Sequence, residues 1–259
     1  MSVRAFSYRQ QGFNLLELAL VLVVLGGIVL VAMQYRTQTL SQDDAVALGY
    51  HDQIAAALYR YAERHYRLPC ADTSGNGLEG GSGGVCTPGT ITHMVGGVPF
   101  LTLGMNEAQG FSEAVRQRYI YGVFRDTTSD TDLATLAERT GDTPGTSGYL
   151  SLDDLRFALR SLGTRAFDAA RIHVTGDEQQ GGAADCQANP VANLAFFVAY
   201  AGARDADGDG NSFDGVNKNF NWPSGGRLCV SGPLTGQGKQ YDDATIAVGF
   251  AELLGYLTQ

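Results

Sequence analysis

The chain has 259 residues, with 18 basic and 27 acidic side chains and a formal net charge of -9. Only two of the basic residues are lysines, Lys218 and Lys239. An acidic chain with so few lysines has no broad electrostatic footprint for a polyanion, so nucleic acid is not an expected partner. The length suits one sizeable folded domain beyond any targeting or anchoring segment.

The first residues carry Arg4 and Arg9 and no acid, and then the sequence turns apolar at Gly12-Phe13. From 13 to 33 the one charged residue is Glu17. At about 1.5 Å of rise per residue, such a segment spans roughly 31 Å as a helix, close to the ~30 Å hydrocarbon core of a bilayer. Basic residues before the apolar run favour a cytoplasmic start and an exported remainder. A carboxylate within lipid is penalised unless it finds a partner, which makes Glu17 a candidate functional residue.

The stretch Gly12-Phe13-Asn14-Leu15-Leu16-Glu17-Leu18 resembles the start of the type IV pilin and pseudopilin family. The resemblance implies a leader at 1–12 that prepilin peptidase removes after Gly12, and N-methylation of the new terminus at Phe13. It also implies that Glu17 pairs with the terminal amine of a neighbouring subunit during filament assembly on an inner-membrane platform. Many members carry a proline past mid-span, whereas the first proline here is Pro69. Gly26 and Gly27 offer a weak point in its place, each costing ~1 kcal/mol relative to alanine. A plain signal anchor, with Glu17 tolerated near the interface, is the competing explanation.

Beyond residue 33 the helical signal continues. Val46, Tyr50, Ile54, Leu58 and Tyr61 recur every three or four residues, and the spacing predicts one long helix over 13–66 with a transmembrane half at 13–33. A head domain at 67–259 follows. It opens on a glycine-rich stretch, 75–84, that reads as a loop. Strands are expected at 119–125, 171–175, 194–201 and 245–248, and helices at 132–139, 152–162 and 251–257. Ser151, with Asp154 three residues on, suits the start of the second helix. Together these predict an α+β fold, a long helix packed on an antiparallel sheet.

All four cysteines, Cys70, Cys86, Cys186 and Cys229, fall on the expected exported side, where oxidising conditions favour disulfides. Of three possible connectivities, Cys70 with Cys86 and Cys186 with Cys229 each bracket one glycine-rich region. Zinc is disfavoured, because no C-x-x-C pair exists and the four histidines are scattered.

The sharpest constellation in the head is Asp205, Asp207, Asp209, Asn211 and Asp214. Carboxylates at alternate positions before a glycine let the backbone wrap, so that hard oxygens converge on one Ca2+ at about 2.3 to 2.6 Å. The D-x-D-x-D-G core resembles the opening of an EF-hand loop, although Val216 stands where that loop has glutamate. A polar turn is the alternative. A weaker echo, Asp72 to Glu79, favours a turn. In the pseudopilin resemblance Tyr241-Asp242-Asp243 matches an acidic element before a terminal strand, and calcium in the head is a known property of several members.

No H-E-x-x-H pair or Walker loop occurs, which argues against an enzyme. The sequence therefore predicts a filament subunit, pilus or secretion pseudopilus, with its head in the periplasm or at the cell surface. A tip adhesin, with a calcium-ordered loop and the Phe220-Asn221-Trp222-Pro223 cluster meeting a glycan, and a signal-anchored periplasmic enzyme are the alternatives.

Overall fold

A computed structural model describes residues 15–139, 149–176, 186, 189–236, 238 and 240–259, with side chains at 15–18, 31–48 and 109 outside the description. Gly12 and Phe13 lie outside the described residues, as does the side chain of Glu17. Two compact units divide the chain, one ending at Val46 and the second being Ala47–Gln259.

Helix α1 runs Leu15–His65 without interruption, as a stretch with no proline allows. In the first unit the apolar side chains from Leu20 to Leu30 are exposed, Val23 by 75%. No helix among the described residues is long and apolar enough to cross a membrane. In the second unit the apolar stripe turns inward: Ile54, Leu58 and Ala62 are fully buried and His51 nearly so. Tyr66 adopts φ +55°, a left-handed residue that stops the helix, and Pro69 follows.

The stripe packs on a four-stranded antiparallel sheet ordered β1 (Val95–Gly97), β2 (Tyr119–Val123), β5 (Phe196–Tyr200) and β7 (Ala244–Val248). His51 Nε2 lies 3.0 Å from Val198 O, and the ring of Tyr59 meets Phe196 edge-on at 5.5 Å. Every residue of β5 is buried, which explains its continuous apolar sequence: both faces of the strand are covered. Phe197 shows how. Its ring fills the space above Gly122 of β2, where a Cβ would come within 2.2 Å, and stacks on Phe220.

A second sheet has the order β4 (Pro190–Asn193), β3 (His173–Thr175) and β6 (Cys229–Ser231). The β3–β4 pair is antiparallel but β3–β6 is parallel, so the expectation of antiparallel sheets holds for the first and only half of the second. Helix α2 (Glu113–Arg116) precedes β2, and α3 (Leu152–Gly163) packs with α4 (Phe250–Leu257). A capping box between Ser151 and Asp154 starts α3, and the Arg156 guanidinium reaches Leu257 O.

The helix expected at 132–139 does not form. Asp132 is drawn instead into a fully buried ion pair with Arg125 at 2.9 Å, and its carboxylate also accepts from Ala134 N and Thr135 Oγ1. Arg139, itself fully buried, donates to the carbonyls of Asp130, Asp132 and Thr135, of which the last two are groups a helix over 132–139 would need for its own bonds. The three-residue strands β1 and β6 and the exposed β4 are additions that no periodicity could have announced at such length.

Disulfides join Cys70 to Cys86 and Cys186 to Cys229. The first closes the glycine-rich loop and the second ties residue 186 to β6. Two disulfides point to an extracytoplasmic location.

Candidate metal centre

The loop between β5 and β6 carries the aspartates. Asp205 governs its path: Oδ1 accepts from Gly208 N at 2.8 Å and Asp209 N at 3.1 Å, and Oδ2 from Gly210 N at 2.8 Å. Asp207 accepts from Asp209 N, and Asp209 from Asn211 N. Gly208 and Gly210 have φ of +75° and +92°, backbone that an L side chain would strain. The wrap brings one carboxylate oxygen each from Asp205, Asp207 and Asp209 within 4.8 Å of one another, at the surface. This trio could hold a metal ion.

Asp214 does not join it. The Asn211 side chain is spent on local geometry, with Oδ1 accepting from Phe213 N at 3.1 Å and Nδ2 donating to Lys218 O. Asp214 is fully buried. Its Oδ1 accepts from Ala206 N and Asp207 N at 2.9 and 3.2 Å, pinning the base of the loop from inside. Its Oδ2 accepts from Asp242 N at 3.2 Å.

That contact defines a second cluster. Asp214, Asp242 and Asp243, all buried, each bring a carboxylate oxygen within 4.8 Å of the others, and this triad too could hold a metal ion. Asp243 accepts from Gly202 N, Asp214 N and Asn217 Nδ2. Asp242 Oδ2 accepts from Arg204 N at 3.1 Å and faces Arg204 Nε at 3.4 Å. Gly202 is needed for the fit, since a Cβ there would lie 1.9 Å from Asp242 Oδ1. Asn217 also donates to Ser231 Oγ at 3.1 Å within a buried set of hydroxyls that includes Tyr241 and Thr245.

Burial has an electrostatic consequence. It pushes the Asp214 carboxyl up to about 7, helped by a shared hydrogen bond with Asp242. Burial likewise raises Asp243 well above the usual carboxylate range, against the opposing pull of Asn217. Without a cation, Asp214 and Asp243 therefore hold their protons to higher pH than ordinary aspartates; a bound cation would replace them.

The sequence grouped Asp214 with the surface loop because spacing is all a sequence displays. The acidic pair Asp242-Asp243 was visible as a feature before β7, but nothing local joins it to Asp214. The echo at Asp72 is a turn: that buried carboxylate accepts from Ser74 N, Ser74 Oγ, Gly75 N and Gly77 N at 2.6 to 3.0 Å.

No protein-family model, no curated protein and no solved structure matches this chain.

Proposed function

We propose that this protein is a structural subunit of a type IV pilus-like filament or a type II secretion pseudopilus, with a minor rather than a bulk role. The observation that carries the reading is Glu17, the one charge in an apolar run that begins directly after Gly12-Phe13. Cleavage after Gly12 by prepilin peptidase frees an amine at Phe13. A carboxylate and an ammonium that are each costly in an apolar setting then neutralise one another between neighbouring subunits. Three further facts support the reading. Helix α1 is 51 residues long, its apolar side chains from Leu20 to Leu30 are exposed and need a lipid or protein cover, and the disulfides suit an exported head. Its partners on this reading are the peptidase, other pilin-like subunits and the inner-membrane assembly platform. The chain anchors in the inner membrane through 13–33, with its head in the periplasm, before assembly.

In the head, the ion is Ca2+. Three carboxylates of an alternating wrap offer the hard, flexible oxygen shell that this cation takes, completed by water or backbone carbonyls. The Asp205, Asp207 and Asp209 loop binds it, and Asp214 holds that loop from the buried side.

Mass spectrometry of the protein from cells with and without prepilin peptidase tests the assembly reading. A mature chain beginning at N-methylated Phe13, and loss of filament incorporation in Glu17→Ala, are the expected results. A chain that keeps residues 1–12 in the presence of the peptidase overturns it and leaves a signal anchor.

A further inference from the structure

Beside the aspartate loop a cleft of about 310 Å3 opens between the end of α2 and the segment 211–222, a volume at the small end of ligand pockets. We propose that this cleft binds a neutral sugar. Its wall is the half-buried Trp222; Phe220, almost wholly buried, also lines it, stacking on Phe197 and meeting Phe213 edge-on, each at 5.6 Å. Its polar lining includes the amides of Gln117 and Asn221, both exposed, together with Asn211 and Ser212.

Each amide has two N–H donors and a carbonyl acceptor, the combination that matches vicinal hydroxyls. The bonds formed here, Gln117 to Glu113 Oε1 at 3.1 Å and Asn221 to Asn219 O at 3.3 Å, engage one N–H apiece. The aromatic surface supplies an apolar face for the carbon side of a sugar ring. Charge excludes the rival ligands. No acid lines the cleft, so a cation has nothing to meet. The single cation, Arg118, is committed to the carbonyls of Ala201 and Gly202 and lies 4.8 Å over the Tyr200 ring, which leaves a phosphate or carboxylate poorly served.

The wall is already in place. Asn221 and Gly225 close a tight turn through paired backbone bonds of 2.6 and 2.8 Å, and the indole packs over Gly75 and Gly97, where a Cβ would come within 2.8 Å of it. A preformed aromatic surface loses little entropy on binding. The proposal goes beyond the filament reading and does not depend on it.

Trp222 is the one tryptophan of the chain, so its fluorescence reports on this cleft alone. The full-length protein, held in an amine-oxide detergent free of sugar headgroups, is titrated with cellobiose, lactose, chitobiose and, as an acidic control, digalacturonic acid. A saturable change with at least one neutral disaccharide is expected. Gln117→Ala and Asn221→Ala, both at exposed positions, should each weaken it about tenfold, as loss of one or two hydrogen bonds would. Three results would overturn the proposal: no saturable change with any neutral disaccharide, saturation with the acidic sugar alone, or unchanged binding in the double variant.

Discussion

Two aspartate-led loops, 72–79 and 205–214, begin from similar sequence and end in opposite electrostatic states. In the first, the protein satisfies its own charges. Asp72 has four donors of its own chain, and Glu79 is held below its usual range: burial would raise it, but a bidentate Arg67 at 2.6 and 2.7 Å prevails. Tyr61 Oη and Cys70 N also donate to Glu79, so this loop is locked to the helix end and the first disulfide. In the second loop the donors are backbone amides, and three carboxylates still converge at the surface over three more in the interior. The contrast teaches that an alternating Asp pattern sets a backbone path in either case; what differs is whether the chain supplies a counter-charge, as Arg67 does for the first loop, or leaves carboxylates converging that could hold a metal ion.

The largest expected effect falls on the self-satisfied loop. Asp72→Ala strands the amides of Ser74, Gly75 and the buried Gly77 and should cost about 3 kcal/mol, or a drop of about 6–12 °C in melting temperature at this size. Chelator should act alike on the variant and the parent in that experiment, since the Asp72 carboxylate already accepts from four donors of its own chain.

Chelation of the parent protein is the next largest. A cation present at a hundred times its dissociation constant stabilises by about 2.7 kcal/mol, so its removal should lower the melting temperature by about 5–10 °C in calorimetry. Asp207→Ala should abolish that difference. Equal melting with and without chelator would end the calcium reading and make the second loop a plain turn.

A smaller effect separates the buried triad from the surface trio. With cation removed, Asp214 at about 7 and the raised Asp243 bind protons more tightly folded than unfolded, where an aspartate titrates near about 3.9. Their share of stability is therefore full below about pH 4, and Asp214's part is lost as pH rises through about 7. Asp214→Asn removes its part, so the parent should lose more stability than the variant between pH 5 and 8 in urea titrations. The reverse order would show the triad ionised without a cation.

Least of all, Asn211→Ala should cost only about 1 kcal/mol, the worth of its bonds to Phe213 N and Lys218 O. Chelator sensitivity should persist in this variant. Its loss would return Asn211 to the ligand set.

Parts of this fold could be read in advance wherever one stretch of chain contains its own reason. Ile54 and Leu58 announce the inward face of α1, Ser151 and Asp154 announce the start of α3, and the apolar run ending in Tyr200 announces a strand. The miss at 132–139 has the opposite cause. Helix propensity there is adequate, but Arg125, which pairs with Asp132, is supplied by the end of β2 and turns the segment to other uses.

By itself the sequence determined the long helix, the charge placed alone at Glu17, the local wrap of the Asp205 loop and the cysteine brackets, because helical periodicity and Asx-type turns act over a few residues. Only the tertiary structure decided that Asp214 leaves that loop for Asp242 and Asp243, and that Trp222 closes over Gly75 and Gly97. Those partners lie far along the chain, and a buried charge or indole takes whatever neighbour the packed core brings to it.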